Sequence, residues 1–127
     1  MSKTYLLKLS AKGARIGGDI TREEFDKRRS LQQLQKAVGG YLECAPLRRM
    51  PREFMDVDCF VDEEGLLKDG ACLNIVVSRL CGGTFIVGNA VFALHNEEGE
   101  TLGLMKEQCD RLSEFLKSHG AREEVSA

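Results

Sequence analysis

Few residues in this chain are of a type and spacing that could do chemistry. The densest set is acidic: Asp56, Asp58, Asp62, Glu63 and Glu64. Asp56 and Asp58 are two apart, so on a strand they share one face about 6–7 Å from each other. With Glu43 they define one reading, a small carboxylate- or metal-dependent hydrolase. A calcium loop is excluded, because Cys59-Phe60-Val61 fills its spacing with strand residues. The same acids serve equally as the solvated face of a strand that must avoid edge pairing. Glu43 stands in an otherwise apolar stretch and either faces solvent or pairs with an arginine.

A second set is basic: Arg48, Arg49 and Arg52, with Arg28 and Arg29 earlier in the chain. Guanidinium groups hold phosphate or carboxylate bidentately, so this loop is a candidate site for a small anion. It also makes a weak nucleic-acid-binding module an alternative reading. Against that, no aromatic residues interleave for base stacking. The five cysteines, Cys44, Cys59, Cys72, Cys81 and Cys109, include no CxxC pair. Their odd number argues against a disulfide framework, so they read as small buried hydrophobes. His95 and His119 have no second ligand at helical or hairpin spacing. No phosphate loop and no nucleophile–His–acid arrangement can be assembled. No metal and no cofactor is expected, and the balance leans away from an enzyme.

The bulk properties bound the rest. The chain has 127 residues, 43% of them hydrophobic and 30% charged, with a net charge of -2. That is the size of one domain with a real core, and it excludes an evenly basic nucleic-acid binder. No apolar run reaches the ~20 residues of a membrane-spanning helix. Lys8 and Lys12 interrupt the N-terminus before a signal-like stretch develops. A cytoplasmic protein without a membrane partner is expected. Nothing in the sequence sets its oligomeric state.

The elements that must position these residues follow from periodicity. Thr4 to Leu9 reads as an opening strand, and Ala14 to Ile20 as a short second one. Thr21-Arg22-Glu23-Glu24 and Ser30-Leu31-Gln32-Gln33 both fit a capping box. The second starts a helix carrying Leu31, Leu34 and Val38, stopped by Gly39-Gly40. Tyr41 to Ala45 follows as a strand, and Leu47 to Phe54 as a loop. Met55, Val57, Cys59 and Val61 alternate with polar residues, which predicts a strand with one wet face. Asn74 can cap a helix to Leu80, although Ile75-Val76-Val77 also suits a strand. Thr84 to Leu94, nearly all apolar, reads as a central strand buried on both faces, with a bulge at Gly88-Asn89, where Asn89 could turn its amide to a backbone group. Met105, Cys109, Leu112 and Leu116 make the stripe of a last helix ending at Gly120. The expected fold is α+β: a mixed or antiparallel sheet of about four to five strands, with two to three helices packed on one face. One domain spans 1–120, and 121–127 form a loose tail.

Four segments carry a resemblance: Val38-Gly39-Gly40-Tyr41-Leu42-Glu43, the run Asp58 to Lys68 with its Asp62-Glu63-Glu64-Gly65 turn, the isolated Asn74, and Ile86-Val87-Gly88-Asn89-Ala90-Val91. In this order they are similar to a bacterial family known only as a domain of unknown function. That family recurs in phages, plasmids and conjugative elements. Its members usually follow the isolated Asn with an Ala-Thr pair, whereas Asn74 leads into Ile75-Val76. The resemblance implies a small α+β domain and a mobile-element setting, with interference with host defence as an expectation. It implies no reaction. The leading expectation is therefore an accessory protein that acts by binding a host protein or a small anionic ligand. Its candidate contact residues are Glu43, Arg48, Arg49, Arg52, Asn74 and Asn89.

Overall fold

Successive residues of a strand point to opposite faces, so Leu6 and Leu7 cannot both be covered by one layer of helices. Both are buried, as is Leu9. A sheet buried on both sides needs a helix on each. In the computed structural model of the protein, which describes residues 3–11, 18–68, 70 and 72–123, that is the arrangement.

Among the described residues the sheet has seven strands: β1 (Tyr5–Ser10), β2 (Asp19–Glu24), β3 (Leu42–Cys44), β4 (Val57–Asp62), β5 (Ala90–His95), β6 (Thr101–Leu102) and β7 (Arg122–Glu123). Their order is β3-β4-β5-β1-β2-β7, with β6 paired to β5. β2 and β7 run parallel and the other pairs antiparallel, so the sheet is mixed. Helices α2 (Ile75–Leu80) and α3 (Lys106–Ser118) pack with Leu7, Leu9, Cys59 and Phe92 in the main core. Helix α1 (Ser30–Val38) covers the other face, setting Leu34, Ala37 and Val38 against Leu6, Val91 and Ala93.

Two features of the expected fold are thereby corrected. The sheet has more than four or five strands, because β6 and β7 are two residues long and carry no period-2 signal. The helices lie on both faces rather than one. The apolar run Ala90 to Ala93, fully buried throughout, is what a doubly covered strand requires.

Local signals were overridden at four places. Thr21 to Glu24 is not a helix start but part of β2, paired residue for residue with Tyr5 to Lys8. The ladder satisfies more backbone groups than one cap could. The true cap is Asp26, whose carboxylate accepts from Arg28 N–H (3.1 Å), while Gln33 Oε1 accepts from Asp26 N–H (2.8 Å). Met55 lies before β4 and is 73% exposed, and Met105 sits at the N-cap of α3, so neither joins its apolar stripe. The central strand begins at Ala90, not Thr84. Phe85 is exposed, and the chain turns at Gly88, whose φ is +85°. The early part of the strand expected over Ala14–Ile20 lies outside the described residues. Arg122 and Glu123, in the segment read as tail, pair with β2, and residues 124–127 lie outside the described residues.

Nothing stands within 4 Å of where a Cβ on Gly88 would be. Backbone conformation, not crowding, therefore calls for glycine here. Gly88→Val is expected to destabilise by about 2 kcal/mol, because a β-branched residue is strained at positive φ. Gly88→Asn should recover much of the loss. Urea denaturation of the two variants checks this, and a Gly88→Val protein as stable as the parent contradicts it.

All five cysteines are free. Cys59, Cys81 and Cys109 are buried, and burial pushes the Cys109 thiol up to about 11. These three are packing residues.

Candidate functional site

Helix α1 ends because Gly39 adopts φ +85° and its N–H folds back to Gln35 C=O (2.9 Å). The chain then turns through Gly40 into the edge strand β3. At Gly40 a side chain is impossible without rearrangement: a Cβ would stand 2.5 Å from Asp62 Oδ1. Asp62 ends β4, and its side chain is only 6% exposed. Its carboxylate accepts from Glu64 N–H (2.9 Å) and pairs with Lys68. The Lys68 ammonium also donates to Gly39 C=O (2.6 Å), tying the end of β4 to the end of α1. A cation at the last carbonyls of a helix is favoured by the helix dipole.

Burial pushes the Asp62 carboxyl up, but the Lys68 hydrogen bond, the Glu64 N–H and the Lys68 charge outweigh it, so the net shift is downward. A depressed carboxyl contributes stability that is full above its unfolded value, near pH 4, and is lost as pH falls through the folded value. Asp62→Asn is therefore expected to flatten the acid limb of the melting temperature. A parent and variant with the same acid dependence would contradict the pairing.

The opposite wall is the turn before β5. Asn74 is buried and caps α2, accepting from Val77 N–H (3.3 Å) through Oδ1. Its amide donates to Leu9 C=O (3.1 Å) and Gly88 C=O (3.0 Å). Gly88 N–H in turn donates to Cys72 C=O (2.8 Å). Asn89 donates to Ala37 C=O (3.4 Å), reaching across to α1. A Cβ on Gly65 would lie 3.0 Å from Val87 C=O, so the two walls touch there as bare backbone.

Between these walls lies an open cleft of about 290 Å³. Val38 and Val87 supply its apolar sides. Gly39, Gly65, Gly70 and Gly88 expose main chain, and Asp62, Lys68, Cys72 and Asn89 supply polar atoms. Two of the six candidate residues belong here: Asn89 lines the cleft, and Asn74 supports its Gly88 turn from behind.

The other four lie elsewhere. Glu43 is exposed on β3. Arg48 and Arg49 are exposed at the end of α2, both donating backbone N–H to Leu80 C=O (2.8 and 3.1 Å). Arg52 is exposed on the 3-10 turn Arg52–Phe54, whose Phe54 packs on Phe115 of α3. The arginines do not line the cleft.

Of the carboxylates of the hydrolase reading, Glu43 separates from Asp56 and Asp58. Glu43 sits opposite Val61 and Cys44 opposite Phe60, so Glu43 and Asp58 point to opposite faces of the sheet. Asp58 pairs instead with His95 Nδ1 (3.0 Å), and Asp56 lies 3.9 Å from His95 Nε2. Among the described residues no three His, Cys, Asp or Glu side chains gather as a metal would require.

Asp62 and Lys68 were not among the candidate contact residues. Their link to Gly39 spans 29 positions and carries no local signature. The available signal was that the glycine pair and the Asp58-to-Lys68 segment, which holds both Asp62 and Lys68, belong to the resemblance.

Three of its segments line this cleft, and the fourth, Asn74, supports the Gly88 turn from behind. No curated protein and no solved structure matches the chain. Residues 14–117 match the family model described as Domain of unknown function (DUF3846), and the chain belongs to that family.

Proposed function

We propose that the protein is a non-enzymatic accessory protein of a mobile genetic element, and that it acts by binding a small anionic ligand in the cleft. The observation that carries this reading is the unspent hydrogen-bonding capacity there. Lys68 uses two of its three donors, on Asp62 and Gly39. Asn89 uses one amide hydrogen, and its carbonyl oxygen accepts nothing among the described residues. A ligand with a carboxylate or phosphate for Lys68 and a donor for Asn89 satisfies both. The cleft is at the small end of ligand pockets, about 300–1,000 Å³, so the ligand is no larger than a nucleotide. The family resemblance supports the mobile-element setting and interference with host defence as the use.

A host protein as partner is the second reading. It is supported by Leu66 and Leu67, which are 71% and 82% exposed beside Gly65 and Lys68 at the rim.

A thermal-shift screen with nucleotides and small phosphorylated or carboxylated metabolites tests the first. A ligand at a hundred times its dissociation constant stabilises by about 2.7 kcal/mol. Asn89→Ala removes one long hydrogen bond, so it should leave the free protein folded and abolish the shift. If no compound shifts the parent, or the variant responds equally, the small-ligand reading fails.

A further inference from the structure

Strand β3 forms one edge of the sheet. Its pairing with β4 decides which backbone groups lie on the free side. Tyr41 C=O accepts from Glu63 N–H (2.8 Å), and Ala45 N–H donates to Cys59 C=O (2.8 Å). Glu43 stands opposite Val61 between them. Hydrogen-bonded positions alternate along an antiparallel ladder, so Tyr41 C=O, both groups of Glu43 and Ala45 N–H turn to β4, whereas Ala45 C=O accepts from Leu47 N–H (3.0 Å). The N–H and C=O of Leu42 and Cys44 turn outward. None of these four groups finds a partner among the described residues. Tyr41, Glu43 and Cys44 are all exposed. Beside them a hollow of about 330 Å³ lies between α1 and the strand, lined by Gln35, Lys36, Gly40 and Tyr41.

We propose that this edge accepts an extended segment of a partner protein as an added strand, one that carries lysine or arginine between small apolar residues. Main-chain pairing of this kind supplies affinity, and alternate side chains supply specificity. The charge comes from acids on both faces of the edge. Glu43 projects from one face, and Asp58 lies beside Cys44 on the other. Glu63 and Glu64 extend the acidic border past Tyr41. A second copy of this chain is a poor occupant. Pairing two β3 strands over their full length sets Glu43 directly against Glu43, and like charges in that position destabilise. Pro46 offers no N–H and closes the far end, so the site has two rungs and takes a short segment.

This surface is separate from the cleft, and the proposal does not rest on ligand binding there. The test is calorimetric titration of the full chain with a hexapeptide of alternating lysine and valine. Binding is expected, and about tenfold weaker when glutamate replaces lysine. N-methylation of alternate peptide nitrogens should abolish it. Cys44→Pro should also abolish it at an unchanged melting temperature, because the Cys44 N–H serves no bond to β4. Glu43→Lys should reverse the charge preference, and Asn89→Ala should change nothing.

The proposal is overturned if the lysine peptide does not bind, or if the N-methylated peptide binds as well as the parent peptide. Equal binding by Cys44→Pro also overturns it. If Cys44→Pro fails to fold, the N-methylated comparison decides. A dimer that Cys44→Pro dissociates would assign the edge to a second copy and likewise overturn the proposal.

Discussion

Asn74→Ala is expected to destabilise the protein by about 3 kcal/mol or more. The side chain is 3% exposed and makes three hydrogen bonds. Removing it leaves the carbonyl of Gly88 without its donor, at about 1–3 kcal/mol, and takes the amide from the buried carbonyl of Leu9, which keeps only its ladder partner Ala90. It also removes the cap of α2, worth about 1 kcal/mol. Asn74→Asp separates this from an ordinary cap. Aspartate caps helices as well as asparagine does. Here, however, its carboxylate would face two carbonyl oxygens that now receive amide donors. Aspartate is therefore expected to be no better than alanine. Urea denaturation of both variants checks it, and a near-neutral Asn74→Asp would reduce Asn74 to a cap.

Gly40→Ala is expected to destabilise by about 2 kcal/mol, by expelling a carboxylate rather than by straining the backbone. The new methyl would stand within 2.9 Å of the Asp62 carboxyl carbon and both its oxygens. That carboxylate has little exposure and is held by Lys68 and Glu64 N–H, so it cannot simply swing into water. A double-mutant cycle isolates the effect. In an Asp62→Ala background the same change should do little harm. Equal harm in both backgrounds would place the clash elsewhere.

The two substitutions mark what was legible in the sequence and what was not. Asn74 ahead of Ile75 to Leu80 reads as a cap before a helix, with Ile75-Val76-Val77 leaving a strand open as the alternative, and α2 forms there. Gly39-Gly40 reads as a stop followed by a strand, and α1 and β3 meet there. These are local signals, set by residues within one turn of each other. The Thr21 capping box is equally local, yet it lost to pairing with β1, which no short window reveals. The second covered face had a local signal too: the nearly all-apolar run to Leu94 reads as a central strand buried on both faces, and Ala90 to Ala93 are fully buried, although helices were expected on one face alone.

The cleft was the least legible feature. Lys68 reaches Gly39, Asn89 reaches Ala37 across 52 positions, and Asn74 reaches Leu9 across 65. Periodicity and spacing say nothing about such contacts. The arginine loop, by contrast, is conspicuous in the sequence because its charges are consecutive. Arg48 and Arg49 remain exposed in the fold, and none of the three arginines has an ion-pair partner among the described residues.

Anion binding thus has two possible addresses on this surface, and amide NMR distinguishes them directly. The isotopically labelled full chain is titrated with the nucleotide or metabolite that gives the largest thermal shift, and the perturbed amides are mapped. Binding in the cleft moves Gly39, Lys68, Gly88 and Asn89 together, leaves Arg48, Arg49 and Arg52 in place, and disappears in Asn89→Ala. Perturbations centred on Arg48, Arg49 and Arg52, with the cleft amides unmoved, would contradict it.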